Sequence, residues 1–215
     1  MIWGRGLNNK HSSPEIVQKL RETEAEIRQK YTLETLLALP KINDWREAYR
    51  KFGFAPSAHR SSVEALLRRV IQGKELPSIN PIVDLYNIIS MKNVLPAGGD
   101  NLAKVAGSIH LAVADGSEKF LMLGSDKLEP MKKGEVVYRD DEEVLCRSWN
   151  YRECEKTKIT PETQDVCLVL EGLEHTTQHE IEQAIQELKS LLEKYCGGSC
   201  QTFFLDKNHS RVPLE

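Results

Sequence analysis

The apolar positions of the first half of the chain recur at helical spacing. The clearest run follows Ser61, where Val63, Leu66, Leu67 and Val70 fall on one face of a helix. Ser61 and Glu64 have the spacing of a capping box, which favours a helix start at this point. Together the patterns predict helices at about 14–31, 32–39, 43–52, from 61 onwards and at 82–91.

From about residue 106 the pattern changes to alternation, which is typical of strands. We expect a hairpin from residues 109–113 and 119–123, strands near 135–138, 144–149 and 200–205, and a central strand at 166–170. A second capping box, Thr177 to Glu180, predicts a late helix that ends at Gly197-Gly198. The predicted fold class is α+β: N-terminal helices, then a mostly antiparallel sheet with a late C-terminal helix.

The order of these elements predicts a helical N-terminal extension (1–40), a main domain (41–206) and a C-terminal tail (207–215). The 215 residues have an ordinary composition, with 40% hydrophobic and 28% charged residues. No apolar run approaches the roughly 20 residues of a membrane span, and the N-terminus lacks a signal-peptide core. Five cysteines without framework spacing favour reduced thiols. We therefore expect a cytoplasmic protein that does not bind membranes.

The charge is unevenly distributed. The net charge of −3 argues against a general nucleic-acid binder, but residues 1–80 carry 14 basic and 9 acidic side chains. Arg60, Arg68 and Arg69 lie on the polar side of one predicted helix, and Arg46 and Arg50 on that of another. Such a basic face is compatible with phosphate contacts, and also with an ordinary solvated surface.

The helix at 82–91 carries unusual polar residues. Asn80-Pro81 is a helix start, the body is apolar on nearly every side, and Asp84 and Asn87 share one face within it. A buried carboxylate needs partners or a function. Asp84 and Asn87 are therefore candidate site residues, with bonding to loop backbone as the alternative. Asn80 is a candidate binding residue or a plain helix cap.

The loop after this helix contains two glycines. Gly98 and Gly99 allow close approach of a ligand to backbone N–H groups, or form only a tight turn. Asp100 follows directly and can hold an ammonium group. His110 is a candidate base or an exposed structural residue. Arg147, Trp149, Asn150 and Arg152 alternate charged and aromatic side chains, as a site for a 3′-terminal nucleotide would, although Trp149 fits a core equally well.

The sequence predicts neither a metal nor a cofactor. His175 and His179 stand at one end of the late helix, and Cys196 and Cys200 at the other, so the two pairs are too far apart for one zinc ion. No G-x-S-x-G or Cys/His signature indicates a nucleophile.

Several segments in a fixed order carry a resemblance to a known family. They are Arg60-Ser-Ser-Val-Glu-Ala-Leu-Leu-Arg-Arg69, Leu76-Pro-Ser-Ile-Asn-Pro-Ile-Val-Asp-Leu-Tyr-Asn87, Leu95-Pro96, Glu135-Val-Val-Tyr-Arg-Asp-Asp141, Val144-Leu-Cys-Arg-Ser-Trp-Asn-Tyr-Arg152 and Thr157-Lys-Ile-Thr160. These segments resemble the B3/B4 domain, the editing module of the phenylalanyl-tRNA synthetase β subunit, which also exists as a free-standing protein.

The resemblance implies hydrolysis of a mischarged aminoacyl-tRNA in trans, with the tRNA acceptor end as partner and no aminoacylation activity. Two departures bear on the substrate. The family's histidine aligns with Gly98, and its tyrosine-recognising glutamate with Val169, so we expect a different amino acid, or a different small ligand, in place of tyrosine. Two alternatives stay open: a non-catalytic module that binds RNA or an amino acid, and a ligand-regulated interaction protein. The pattern leaves the oligomeric state undetermined.

Overall fold

A computed structural model describes residues 1–213, and residues 214 and 215 of the predicted tail lie outside the described part. Within it there are six α-helices and a short 3-10 helix (Leu102–Lys104); the α-helices are α1 (Pro14–Lys30), α2 (Leu33–Leu37), α3 (Pro40–Lys51), α4 (Ser62–Ile71), α5 (Pro81–Asn93) and α6 (Gln178–Cys196). There are ten strands in the same part: β1 (Ile2–Arg5), β2 (Ala97–Asn101), β3 (His110–Val113), β4 (Lys119–Leu121), β5 (Leu128–Pro130), β6 (Val136–Arg139), β7 (Val144–Arg147), β8 (Arg152–Glu153), β9 (Val166–Leu170) and β10 (Ser199–Thr202).

The strands form three antiparallel sheets, so the predicted α+β class is confirmed. Sheet 1 has the order β10-β1-β9-β2, sheet 2 the order β3-β6-β7-β8, and β4 pairs with β5 in a small third sheet. The predicted central strand, β9, lies between β1 and β2. The helices pack on one side of sheet 1, and sheet 2 has a smaller core of its own.

Helix α5 lies at the centre of the larger core. Its residues Ile82, Leu85 and Ile89 are fully buried among α1, α6 and β2. The predicted start is confirmed, since the Asn80 side chain accepts a bond from the Val83 N–H at 3.0 Å. This all-round burial explains why the helix is apolar on nearly every face.

The first strand was not predicted from the sequence. β1 pairs with both β9 and β10, and Ile2 and Trp3 are buried. Only four residues form this strand, and a segment so short shows no period. Its partners come from the other end of the chain, which local patterns do not report. The first residues therefore complete the central sheet.

The predicted hairpin of residues 109–113 and 119–123 is wrong. β3 pairs with β6, and β4 pairs with β5. The intervening loop folds on itself, because the N–H groups of Asp115 and Gly116 both donate to the Glu118 carboxylate at 2.9 Å. β4 pairs with β5 instead of β3, and its Phe120 lies in the smaller core.

The two predicted capping boxes have different outcomes. At Thr177 the reciprocal bonds with Glu180 are present. At Ser61 the helix begins as expected, but the serine side chain makes no capping bond. Glu64 instead accepts bonds from Arg46 at 2.9 Å and Arg68 at 2.8 Å, because it is fully buried and requires cationic partners.

Candidate functional site

A pocket lies where the edge of sheet 1 faces sheet 2. It encloses about 410 Å³ of space, a volume that includes solvent at its open mouth. β2 and β9 form the floor, and sheet 2 with the turn after β7 forms the walls. The lining residues are Ala97, Gly98, Gly99, Asp100, Ile109, Tyr138, Cys146, Trp149, Asn150, Glu153, Cys167, Val169 and Glu171.

Glu171, directly after β9, organises one wall. Its carboxylate accepts bonds from Tyr138 Oη at 2.7 Å, Trp149 Nε1 at 2.5 Å and Asn150 Nδ2 at 2.8 Å. Burial raises the pKa of Glu171, and these three donors oppose that rise. The bonds fix the two aromatic rings and the amide in place around the pocket.

The turn after β7 holds its residues in strained backbone conformations. Ser148 and Trp149 have φ values of 48° and 66°, in the left-handed region that non-glycine residues seldom occupy. The buried Glu135 stabilises the turn, since it accepts bonds from the Ser148 N–H at 2.8 Å, from its hydroxyl at 2.7 Å and from the guanidinium of Arg147. Strain of this kind is typical of sites whose side chains must be held in place.

Glu153 and Asp100 form the acidic centre of the pocket. Burial, and then the neighbouring charge of Asp100, raise the pKa of Glu153 to about 8. Burial likewise raises the pKa of Asp100 to about 6, against a 2.5 Å bond from Thr157 Oγ1. Tyr86 of α5 lies behind these two groups, and burial and their charges raise its pKa. At neutral pH Asp100 is therefore largely ionised and Glu153 largely protonated.

The two glycines lie in strand β2, not in the predicted loop. Gly99 packs so closely on β9 that a Cβ would lie 2.4 Å from Leu168 Cδ2 and 2.6 Å from the Cys167 carbonyl oxygen. Gly98 faces the pocket, where a Cβ would lie 2.9 Å from Glu153 Oε1. The strand needs glycine at 99 because β9 packs against it, and at 98 because Glu153 lies where a side chain would project.

The structure brings five of the predicted site residues together around the pocket: Gly98, Gly99, Asp100, Trp149 and Asn150. The prediction missed Glu153 and Glu171. Glu171 continues the face of β9 that carries Cys167 and Val169, and this period of two is a signal that could have revealed it. Glu153 comes from a two-residue strand and leaves no comparable signal.

Asp84 lies elsewhere. It is fully buried beside the loop before α5, and accepts bonds from Ser12 Oγ at 2.6 Å, Ser78 Oγ at 2.5 Å and the Ile79 N–H at 2.9 Å. These partners, two serines and a loop N–H group, agree with the alternative that Asp84 is a structural carboxylate that bonds to the loop. Asn80 caps α5 and donates to the Ile159 carbonyl, while the half-buried Asn87 is not part of the pocket lining.

The predicted basic residues have varied surroundings. Arg68 is held by the buried Glu64, and Arg147 by Glu129 and Glu135. Arg60 donates to the Ser57 carbonyl, and the exposed Arg69 to the Glu75 carbonyl. His110 is exposed on β3, with Nε2 3.8 Å from the Asp141 carboxylate.

Arg152 lies over the Tyr151 ring at 4.5 Å, and the centre of that ring lies 4.9 Å from the His59 ring, with the two planes tilted by 51°. Tyr151 and Arg152 directly follow the pocket residues Trp149 and Asn150 in sequence. Aromatic and cationic groups therefore continue from the pocket onto the neighbouring surface.

Other kinds of site have little support in residues 1–213. No group of three His, Cys, Asp or Glu side chains there is arranged to hold a metal ion. All five cysteines are free thiols. No helix in the same part of the chain has the length and apolar character needed to cross a bilayer.

Comparisons with known proteins give a family. The sequence profile of the B3/4 domain matches residues 44–197. A solved structure similar to this one is an N-terminal fragment of the phenylalanyl-tRNA synthetase β-subunit from Pyrococcus horikoshii, with 16% identity and a TM-score of 0.46. That match spans 55% of this chain and 41% of the other. The curated proteins contain no match. Because the profile covers well over half of the 215 residues, the chain belongs to the B3/4 domain family.

Proposed function

We propose that this protein binds the aminoacyl end of a tRNA in the pocket between the two sheets and hydrolyses a mischarged ester in trans. The observation that carries the proposal is the pocket itself. It has a glycine floor and three carboxylates, Asp100, Glu153 and Glu171. An α-ammonium group is a cationic ligand that fits these acceptors.

The three carboxylates have different roles in this proposal. Glu171 is already satisfied by three protein donors and keeps Tyr138 and Trp149 in place. Asp100 and Glu153 stand on the glycine side and have acceptor capacity for the ammonium. Trp149, Val169 and Ile109 supply the apolar surface for the side chain of the amino acid.

An aminoacyl ester needs little further activation for hydrolysis. A positioned water and a donor for the developing oxyanion suffice. β2 is an edge strand, so alternate N–H groups point away from β9. The Asn101 N–H is one of these, since it donates to the Thr157 carbonyl at 2.9 Å, and the Gly99 N–H two residues earlier is another. Gly99 is therefore the proposed oxyanion donor, and ionised Asp100 the group that orients the water.

The RNA would approach over the residues that follow the pocket turn. Tyr151, His59 and Arg152 offer ring faces and a positive charge for an unpaired 3′ end. Arg60 and Arg69 add positive charge to this proposed surface and would bind phosphates of the RNA. Arg68 and Arg147 are held by buried carboxylates, so we leave them out of the proposed surface.

A deacylation assay with a panel of mischarged tRNAs tests the proposal. We expect release of one amino acid class by the wild type, at least a tenfold loss in Glu153→Gln, and no loss in Glu162→Gln, an exposed carboxylate away from the pocket. Absence of release across the panel would contradict hydrolysis.

A second candidate is a binding module without turnover. It is favoured by the lining, which within the described residues contains no histidine, serine or threonine. Burial also raises the pKa values of the two lining thiols, Cys146 and Cys167, which makes them poor nucleophiles. Tight binding of an uncleavable aminoacyl-tRNA analogue, together with no ester hydrolysis, would support this candidate.

A further inference from the structure

The pocket has a strongly one-sided charge. Its lining holds three carboxylates and, within residues 1–213, no Lys, Arg or His. An α-amino acid that enters with a free carboxylate would meet acidic groups without a cationic partner. An ester or amide of the same amino acid carries the ammonium alone.

The hydrogen bonds of the three carboxylates are unequal. Glu171 accepts three bonds and Asp100 accepts one side-chain bond, from Thr157. Glu153 is half-buried, and no N–H or O–H group of the described residues donates to its carboxylate. Because this carboxylate lines the pocket, it can accept hydrogen bonds from a ligand.

The Glu153 carboxylate lies close against Gly98, since a Cβ on residue 98 would lie 2.9 Å from Glu153 Oε1. Gly98 and Asp100 share one face of β2, so Glu153 and Asp100 border the same part of the pocket. A ligand N–H group in that part of the pocket can therefore reach both carboxylates.

We propose that this pocket selects amino compounds whose carboxyl group is masked as an ester or amide, and rejects free α-amino acids. The inference rests on the proposed function, since it names the feature by which the pocket distinguishes substrate from product. The aminoacyl end of a tRNA has an ammonium and no carboxylate. The released amino acid has both.

Hydrolysis then changes the charge that the pocket meets. Water adds its hydroxyl to the acyl carbon, the bond from that carbon to the ribose oxygen breaks, and the ribose oxygen receives the proton. The acid formed loses a proton to solvent, so the released amino acid carries a carboxylate beside the carboxylates that line the pocket. Like-charge repulsion expels it, so the product does not accumulate in the pocket.

Binding of a cation is also linked to a proton. An ammonium beside Glu153 favours its ionised form, so binding releases the proton that this group holds at neutral pH. Affinity should therefore rise with pH up to about 8, where Glu153 ionises without a ligand. The titratable groups around Glu153 are Asp100 of β2, Glu171 after β9, Cys146 of β7, Cys154 after β8 and Tyr86 of α5.

The test uses matched small molecules on the full chain. For several side chains, from small apolar to aromatic, the free amino acid, its primary amide and the amine without any carboxyl group are titrated by NMR against ¹⁵N-labelled protein. We expect the amide and the amine of at least one side chain to bind at least tenfold more tightly than the free acid. The amine, which stays charged at pH 8, serves for the pH series.

Two variants give the controls. Glu153→Gln should weaken binding of the amine at least tenfold and remove the rise in affinity between about pH 7 and 8, whereas Glu162→Gln should leave both unchanged. Equal or tighter binding of free amino acids, or no binding by any amide or amine at millimolar concentration, would overturn the inference. Masked compounds that bind selectively to a protein without deacylase activity would remove the proposed hydrolysis alone.

Discussion

The Glu153 carboxylate packs against Gly98 at one side of the pocket. The position of a Cβ on residue 98 lies 2.9 Å from Glu153 Oε1, and Gly98 itself belongs to β2, which pairs with β9. The two residues belong to different sheets and stand 55 positions apart in the sequence. Their contact places the Glu153 carboxylate beside the face of β2 that carries Asp100, where the proposed ligand ammonium would bind.

Gly98→Ala is expected to displace the Glu153 carboxylate without unfolding the protein. The added methyl group meets the end of a flexible side chain, so the free energy of unfolding should change by less than about 1 kcal/mol. Binding of amino acid amides should fall at least tenfold. Gly99→Ala is the matched control, because its methyl group meets Leu168 and backbone and should cost about 1–3 kcal/mol. Urea denaturation and NMR titration measure the two effects. Undiminished binding in Gly98→Ala would place the ligand elsewhere.

Glu153 should make the folded protein less stable as pH rises. Its pKa is about 8 in the folded state and 4.5 in an exposed chain, so between these values the folded state holds the extra proton. Stability is then lost progressively from about pH 4.5 to 8. Glu153→Gln removes this dependence and should stabilise the protein by at least about 1 kcal/mol at pH 8, and little at pH 5. Urea denaturation over this range measures the difference. Parallel pH profiles for the two proteins would contradict the assignment.

Asp84→Asn is expected to affect stability and leave the pocket intact. The amide can replace only part of the acceptor capacity that Ser12, Ser78 and the Ile79 N–H use. Loss of these charge-assisted bonds should cost about 2–3 kcal/mol. Amide binding by the folded variant should equal that of the wild type. A stable Asp84→Asn protein with weakened amide binding would show that Asp84 takes part in ligand binding.

The sequence predicted the fold better than the site because the two depend on different ranges of contact. Helix α5 and its Asn80 cap follow from neighbours within a few positions, so periodicity and capping rules locate them. The same polar residues in α5 favoured Asp84 as a site residue. A buried carboxylate beside a helix start has the same local pattern whether it binds a ligand or, as here, two serines and a backbone N–H.

The pocket, in contrast, is assembled from distant segments. Gly98, Glu153 and Glu171 meet because β2 pairs with β9 and sheet 2 lies opposite. β1, which holds the other side of β9, comes from the first five residues of the chain. Pairing between such remote segments depends on the whole core, and no local pattern specifies it.

Arg68 and Arg69 are adjacent in sequence and should behave differently when changed. Arg68 binds the buried Glu64, so Arg68→Gln should destabilise the protein by about 1–3 kcal/mol through the partly uncompensated charge. Arg69 is exposed, so Arg69→Gln should alter stability by less than about 0.5 kcal/mol. If Arg69 contacts a phosphate, its loss should weaken tRNA binding and lower the salt dependence by about one counterion. Urea denaturation and binding across a salt series separate these effects. An unchanged salt slope in Arg69→Gln would exclude α4 from the RNA surface.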